Sequence, residues 1–237
     1  MSKEQTSNVR AIACAICGGN QFEDRAVLWP LLIAEWGLSL DEAAYIDRQQ
    51  GRTCARCGAN LRIIALARSL AREWGAGPVL ADFPASERAG RLRVLEINGA
   101  QAITDVLRRM PQHKLINYPE HDMQALDIDD GTFDAVIHSD TLEHVPDPCA
   151  GLRECRRLLA PGGSLFFTVP IIVGRMTRNR DGLPPSYHGN VSESGEDFRV
   201  QTEFGADAWC MVMEAGFSEV SLTAVEYPCA IAITARA

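Results

Sequence analysis

From residue 92 onward the chain alternates short apolar runs with amphipathic ones, and this alternation limits the fold more than any other feature. LRVLEI (92–97), KLINY (114–118), FDAVIHS (133–139) and SLFFTVPI (164–171) read as strands. QAITDVLRRM (101–110), PCAGLRECRRLLA (148–160) and residues 204–215 read as helices, with Pro161-Gly162-Gly163 as a turn and 217–227 and 229–235 as a closing pair of strands. The pattern predicts an α/β fold: a Rossmann-like, doubly wound, mainly parallel sheet with an antiparallel last strand. Ligands of such sheets bind beyond the carboxyl ends of the strands.

The amino-terminal third is built differently. Cys14-Ala-Ile-Cys17-Gly18 and Cys54-Ala-Arg-Cys57-Gly58 are two Cys-x-x-Cys knuckles, each followed by a glycine that permits the φ > 0 turn directing amides at sulfur. Together they supply a tetrahedral four-thiolate set, so a structural Zn²⁺ held by Cys14, Cys17, Cys54 and Cys57 is expected, ahead of a redox pair or metal-free thiols. A closed site of this kind has no open position for catalysis, and its role is to fold a small zinc-ribbon-like helical module. Between the knuckles, VLWPLLIAEWGLS (27–39) packs around the metal site, against the next domain or as a homodimer interface, and Ser39 caps a helix at 40–47. NLRIIALARSLAREWG (60–75) is an amphipathic helix stopped by Gly75. The expected division is a zinc module with its connecting helix at 1–75, a linker at 76–91 with a short helix near Ser86, and the sheet domain at 92–237.

The net charge of −8 argues against a general nucleic-acid coat, which needs neutralising cations. The charge is uneven: residues 48–93 hold nine arginines against three acids. That segment reads as a solvated face, or more sharply as a patch meeting an anionic substrate or the acidic remainder of the chain. No run is apolar enough for a membrane span and MSKEQTSNVR lacks a signal-peptide core, so a cytoplasmic protein with no membrane partner is expected.

Residues 132–170, TFDAVIHSDTLEHVPDPCAGLRECRRLLAPGGSLFFTVP, closely resemble the second half of class I S-adenosylmethionine-dependent methyltransferases of the type 11 kind. The resemblance rests on Phe133-Asp134, on Leu142-Glu143-His144-Val145, on Arg157 through Gly163 and on Leu165-Phe166-Phe167, with Glu214-Ala215-Gly216-Phe217 near the end. It implies S-adenosylmethionine as cofactor and methyl transfer as the activity. It places VLEINGA at the family's first motif, where Glu96 matches the acid and Gly99 one glycine, while Asn98 and Ala100 stand where other glycines are common. Asn tolerates the left-handed region and Ala is small, so an atypical but working turn is expected. The resemblance further implies Asp122 and Met123 at adenine, Asn117 or Tyr118 near the nucleoside, with Glu120 close behind, and His138 and Ser139 beside the methionine end. Only 21 residues separate Ala100 from Asp122, so one family helix is missing or very short.

Methyl transfer needs an acceptor held in line with the methyl and, for a hydroxyl, a base. The polar stretch 170–205 is long for a loop and is expected to be the acceptor lid. His188, His144 and Tyr187 are the candidate catalytic side chains, and Arg175, Arg178 and Arg180 are candidates for meeting an acidic acceptor. The expected acceptor is a small molecule: a sugar, a nucleotide-linked sugar or a natural-product intermediate. An RNA acceptor, met by the zinc module and basic segment, is the alternative, and a non-catalytic zinc-containing scaffold is a third reading.

Overall fold

A computed structural model of the chain describes residues 12–187 and 195–237. Six strands form the main sheet: β3 (Val94–Ile97), β4 (His113–Ile116), β5 (Phe133–Ser139), β6 (Leu159–Thr168), β10 (Glu219–Val225) and β11 (Ala230–Arg236). Their order is β10-β11-β6-β5-β3-β4, parallel throughout except for β11, which runs against both neighbours. This is a Rossmann-like sheet with one antiparallel strand. The chain goes from β3 out to β4 and then back past β3 to β5, so the crossover direction reverses between β3 and β5.

Strand alternation splits the apolar side chains between two faces. Val94, Ala135, Ile137 and Phe166 pack with helices α3 (Leu61–Trp74) and α4 (Ala102–Leu107). Leu95, Val136, Leu165 and Phe167 pack with α5 (Pro148–Leu158) and α6 (Ala208–Glu214). Local signals set the helix ends: Asn60 Oδ1 caps α3 and Gly75 ends it in the left-handed region, while Asp147 caps α5 with Pro148 in its first turn.

Three sequence expectations shift. The helix at 148 stops at Leu158, because Leu159 already pairs with Phe133, and residues 160–163 bulge out before Ser164 rejoins opposite Ala135. Gly163 suits that bulge, since a Cβ there would lie 2.9 Å from the carbonyl of Ala160. Between Ile116 and Phe133 there is neither helix nor strand, so β4 is the sheet edge and the departure from the family pattern exceeds one short helix. Finally, α3 does more than connect: it lies on the sheet face, with Leu61, Ile63, Ile64, Leu66 and Leu70 buried in the same core as Phe166. The 76–91 stretch also contributes, through a 3-10 turn at Leu80–Ala85 that buries Leu80 and Phe83.

The first module has a two-stranded ribbon, β1 (Phe22–Asp24) with β2 (Arg52–Cys54), and helices α1 (Pro30–Glu35) and α2 (Leu40–Gly51). Leu32, Trp36, Leu38 and Ile46 from this pair pack on Ile172 and Val200 of the segment after β6. That segment is less loop-like than its composition suggests, because β7 (Ile171–Ile172), β8 (Arg178–Asn179) and β9 (Thr202–Gly205) form a small sheet in the order β7-β9-β8. Among the described residues no helix is long and apolar enough to cross a membrane.

Candidate active site and thiolate cluster

A cavity of about 510 Å³ opens beyond the carboxyl ends of β3, β4 and β5, where the crossover direction reverses. Its size lies within the range of small-ligand sites. Asn98, Asn117, Tyr118, Asp122 and Met123 line one side; Asp140, Thr141 and His144 line the floor; Glu196, Asp197, Phe198 and Gln201 line the other side.

The turn after β3 gains its shape from Asn98 and Gly99, at φ 62° and 67°. Asn98 Oδ1 accepts the backbone N–H of Tyr118 at 2.8 Å, tying the end of β3 to the residue beyond β4. Glu96 turns the other way. It is fully buried and its Oε1 accepts from Ala100 N (2.7 Å) and from the Thr104 hydroxyl (2.6 Å), while His113 Nε2 lies 2.9 Å from Oε2. Glu96 therefore braces the turn from inside the protein, and neither it nor Gly99 nor the buried Ala100 lines the cavity. In place of consecutive glycines, this carboxylate holds the turn's geometry.

Beyond β4, Asp122 accepts two hydrogen bonds from Gln124, from the backbone N–H at 2.9 Å and the side-chain amide at 3.1 Å, and Gln124 Oε1 in turn accepts from Asp147 N. Met123 is buried beneath it against Gly151, while half-exposed Tyr118 offers an aromatic face at the rim. A carboxylate, an apolar floor and a ring suit a purine with its exocyclic amine.

At the end of β5 the sequence-derived candidates separate. His138 is buried in the sheet, stacked on Phe167 at 4.9 Å, and burial holds its imidazole down at about 3. Ser139 is hydrogen-bonded to Thr168 at 2.9 Å. Neither lines the cavity; Asp140, the next residue, does. Asp140 sits at φ 51° and its Oδ2 accepts from Arg62 Nη2 at 2.9 Å. Arg62 is only 5% exposed, and its Nε and Nη1 make no hydrogen bond. Of the two readings of the basic segment, a solvated face or a patch meeting the acidic remainder of the chain, Arg62 fits the second. The available signal was its place on the apolar face of α3, where an unpaired cation is costly.

His144 lies on the cavity floor with Nδ1 3.0 Å from the Arg199 carbonyl. A carbonyl accepts, so Nδ1 carries the proton and Nε2 is the basic atom. Burial lowers the imidazole's pKa, keeping the ring neutral at pH 7. Its neighbour Glu143 is buried, and burial together with Asp140 pushes its carboxyl up to about 8. Tyr187 stands outside the cavity wall and reaches it through Glu196, to which its hydroxyl donates at 2.9 Å. His188 lies outside the described residues.

The three arginines after β6 do not face the cavity. Arg175 donates to Glu42 and to the carbonyls of Trp36 and Gly37, clamping this segment to the first module. Arg178 and Arg180 both pair with Glu203. The basic segment is likewise engaged: Arg48 and Arg52 with Glu226, Arg62 with Asp140, and Arg93 with Asp134.

The four module cysteines converge, with all sulfurs within 4.8 Å of one another. Cys14–Cys57 and Cys17–Cys54 are each separated by 3.6 Å. A tetrahedron with ~2.3 Å metal–sulfur bonds has edges of roughly 3.8 Å, so the cluster has the dimensions of a four-thiolate zinc site. Gly18 and Gly58 take φ 76° and 73°, and the amide after Gly18 points at the Cys17 sulfur at 3.4 Å. Burial pushes the Cys14 thiol up to about 11 and raises Cys57 as well, whereas at Cys54 the hydrogen bonds it accepts outweigh burial and lower it.

Residues 73–167 match the family model described as a methyltransferase domain. That match covers less than half of the chain. It includes the turn around Gly99, Asp122, Met123 and His144. Similar relatives are ubiquinone biosynthesis O-methyltransferases of Xanthomonas oryzae pv. oryzae (60% identical over 38 residues, 16% of each chain) and Coxiella burnetii (34% over 77 residues, 32% of this chain and 33% of that one). The chain thus spans no more than a third of the length of these relatives. Among solved structures, S-adenosylmethionine-dependent methyltransferases of Mesorhizobium loti (14% identical, TM-score 0.38, covering 66% of this chain and 98% of that one) and Methanosarcina mazei (13%, 0.39, 62% and 92%) overlap it loosely. The fold rests on the strand order of the chain itself.

Proposed function

We propose that the chain transfers a methyl group from S-adenosylmethionine to a hydroxyl of a small-molecule acceptor. The carrying observation is the cavity at the β3/β5 reversal, which brings Asn98, Tyr118, Asp122 and Met123 together opposite His144. In this reading Asp122 accepts from the adenine amine, Met123 and Tyr118 flank the base, and Asn117 meets the ribose. Arg62, buried behind the cavity-lining Asp140, places a positive charge on the side of the cavity where the methionine carboxylate would lie. When bound, the cofactor supplies an electrophilic methyl on a sulfonium leaving group.

The protein's own work is then positioning and proton removal. His144 Nε2 takes the acceptor's proton, with Nδ1–H anchored on the Arg199 carbonyl. Glu196, Asp197 and Gln201 form a polar lip for the acceptor, in keeping with a sugar, a nucleotide-linked sugar or a natural-product intermediate. A hydroxyl as receiving group is favoured by the names of the O-methyltransferase relatives. The arginines at 48, 52 and 93 are spent on internal ion pairs, which favours a small molecule over RNA. The four cysteines hold a structural Zn²⁺ that closes the first module. Calorimetric titration of the zinc-replete chain with S-adenosylhomocysteine tests the reading: micromolar binding supports it, and no binding by folded protein removes it in favour of a non-catalytic scaffold.

A further inference from the structure

A second cavity, of about 220 Å³, lies between the α1–α2 pair and the residues just beyond β6. Its walls are apolar, with Leu28, Trp29, Leu32, Trp36, Ile46 and Ile172 among them. Two polar side chains, Gln49 and Gln50, interrupt them, and the first of these is buried. Gln49, on α2, is 1% exposed, and its Nε2 makes no hydrogen bond. A buried amide N–H group without an acceptor carries a desolvation cost that an oxygen atom of a ligand would remove. The cavity is too small for a whole drug-sized ligand and suits a single ring or a short alkyl chain.

Its location links it to the active site. Trp36, Pro170 and Ile172 wall this cavity and also the narrow gap lined by Glu143. Glu143 directly precedes His144 on the floor of the larger cavity. The second cavity and this gap therefore both border the chain leaving β6, and Glu143 connects the gap to the larger cavity through its neighbour His144.

We infer that the second cavity binds an apolar substituent of the methyl acceptor, with one ether, carbonyl or hydroxyl oxygen accepting from Gln49. The acceptor is then amphipathic: its reacting hydroxyl lies near His144 and its apolar end lies against α1 and α2. The existence of the site rests on the cavity and Gln49; its assignment to the acceptor rests on the methyltransferase reading.

The test uses the full zinc-replete chain and 6-bromohexan-1-ol, whose bromine quenches tryptophan on contact. Trp29 and Trp36 report directly. The expected result is saturable quenching, with half-saturation raised about fivefold or more in Gln49→Leu. 1-Bromohexane, which lacks the oxygen, should bind the wild type and Gln49→Leu alike, showing that the variant keeps its pocket. Linear, unsaturable quenching of the wild type overturns the site, as does equal half-saturation by the alcohol in both proteins. S-adenosylhomocysteine binding is measured separately. Saturable, Gln49-dependent quenching in a protein that does not bind S-adenosylhomocysteine overturns the assignment to a methyl acceptor.

Discussion

Arg62 of α3 donates from Nη2 to Oδ2 of Asp140, 78 residues later in the chain, at 2.9 Å. The pair joins the helix that follows the second knuckle to the end of β5, where Asp140 lines the larger cavity. Replacing Arg62 by Met should weaken S-adenosylhomocysteine binding about tenfold or more, since hydrogen bonds to charged groups are worth roughly 1.5–3 kcal/mol. Arg62→Lys should recover only part, because an ammonium cannot serve Asp140 and a second anion in a fixed fork. Calorimetry checks both variants; unchanged affinity in Arg62→Met would confine Arg62 to a structural role.

Asn98 serves the site twice, by adopting φ 62° and by accepting from Tyr118 N. Asn98→Gly keeps the backbone conformation and loses the bond. Asn98→Ala loses the bond and adds left-handed strain of about 1–2 kcal/mol. Both should bind S-adenosylhomocysteine more weakly, and only Asn98→Ala should also lose several degrees in thermal unfolding.

The thiolate cluster should hold one zinc per chain by elemental analysis, and Cys54→Ser should lose it. Gly19 gives a subtler test. A Cβ there would lie 3.1 Å from the Cys54 sulfur and 3.3 Å from that of Cys17. Gly19→Ala should therefore release zinc to a chelator faster than the wild type, followed with a colorimetric zinc indicator.

With an acceptor in hand, His144→Asn should slow turnover by about 10²–10⁴-fold while leaving S-adenosylhomocysteine affinity little changed. Burial lowers the imidazole's pKa, so the ring gains its proton only below the ordinary histidine range. The acidic limb of the wild-type rate profile should accordingly lie below pH 6.5 and vanish in His144→Asn. An unchanged profile would exclude His144 as the base.

Glu42 and Arg175 pin the first module to the segment after β6, and the guanidinium lowers the Glu42 carboxyl from the ordinary 4.5 to about 2. A depressed carboxylate adds stability that is present above the unfolded value and lost as pH falls through the folded one. The Glu42 contribution should therefore fade between pH 4.5 and about 2. Denaturant unfolding of wild type and Glu42→Gln should converge across that window and differ above it.

The alternation of strands and helices, the two Cys-x-x-Cys-Gly knuckles and the block at 132–170 were legible in the sequence because each is local: period, spacing and turn chemistry lie within a few residues. FDAVIHS is a strand over the same residues in both readings. Asn98, Asn117, Tyr118, Asp122, Met123 and His144 reach one cavity because strand ends bring short motifs together. The direction of a side chain at a strand end was not legible. Glu96 and His138 occupy the right positions in the chain, yet one is consumed by Ala100 and Thr104 and the other is stacked on Phe167.

By itself, then, the sequence determined the layer architecture, the thiolate set and the short motifs that line the larger cavity, since hydrophobic period and ligand spacing are properties of neighbouring residues. Only the tertiary structure decided the partners of the charges. It paired Arg62 with Asp140, spent Arg175 on Glu42, and left Gln49 Nε2 without a hydrogen bond beside an apolar cavity. The physical reason is that ion pairing and desolvation depend on distances between residues remote in the chain, and these are set by how α2 and α3 pack on the sheet and on the segment after β6.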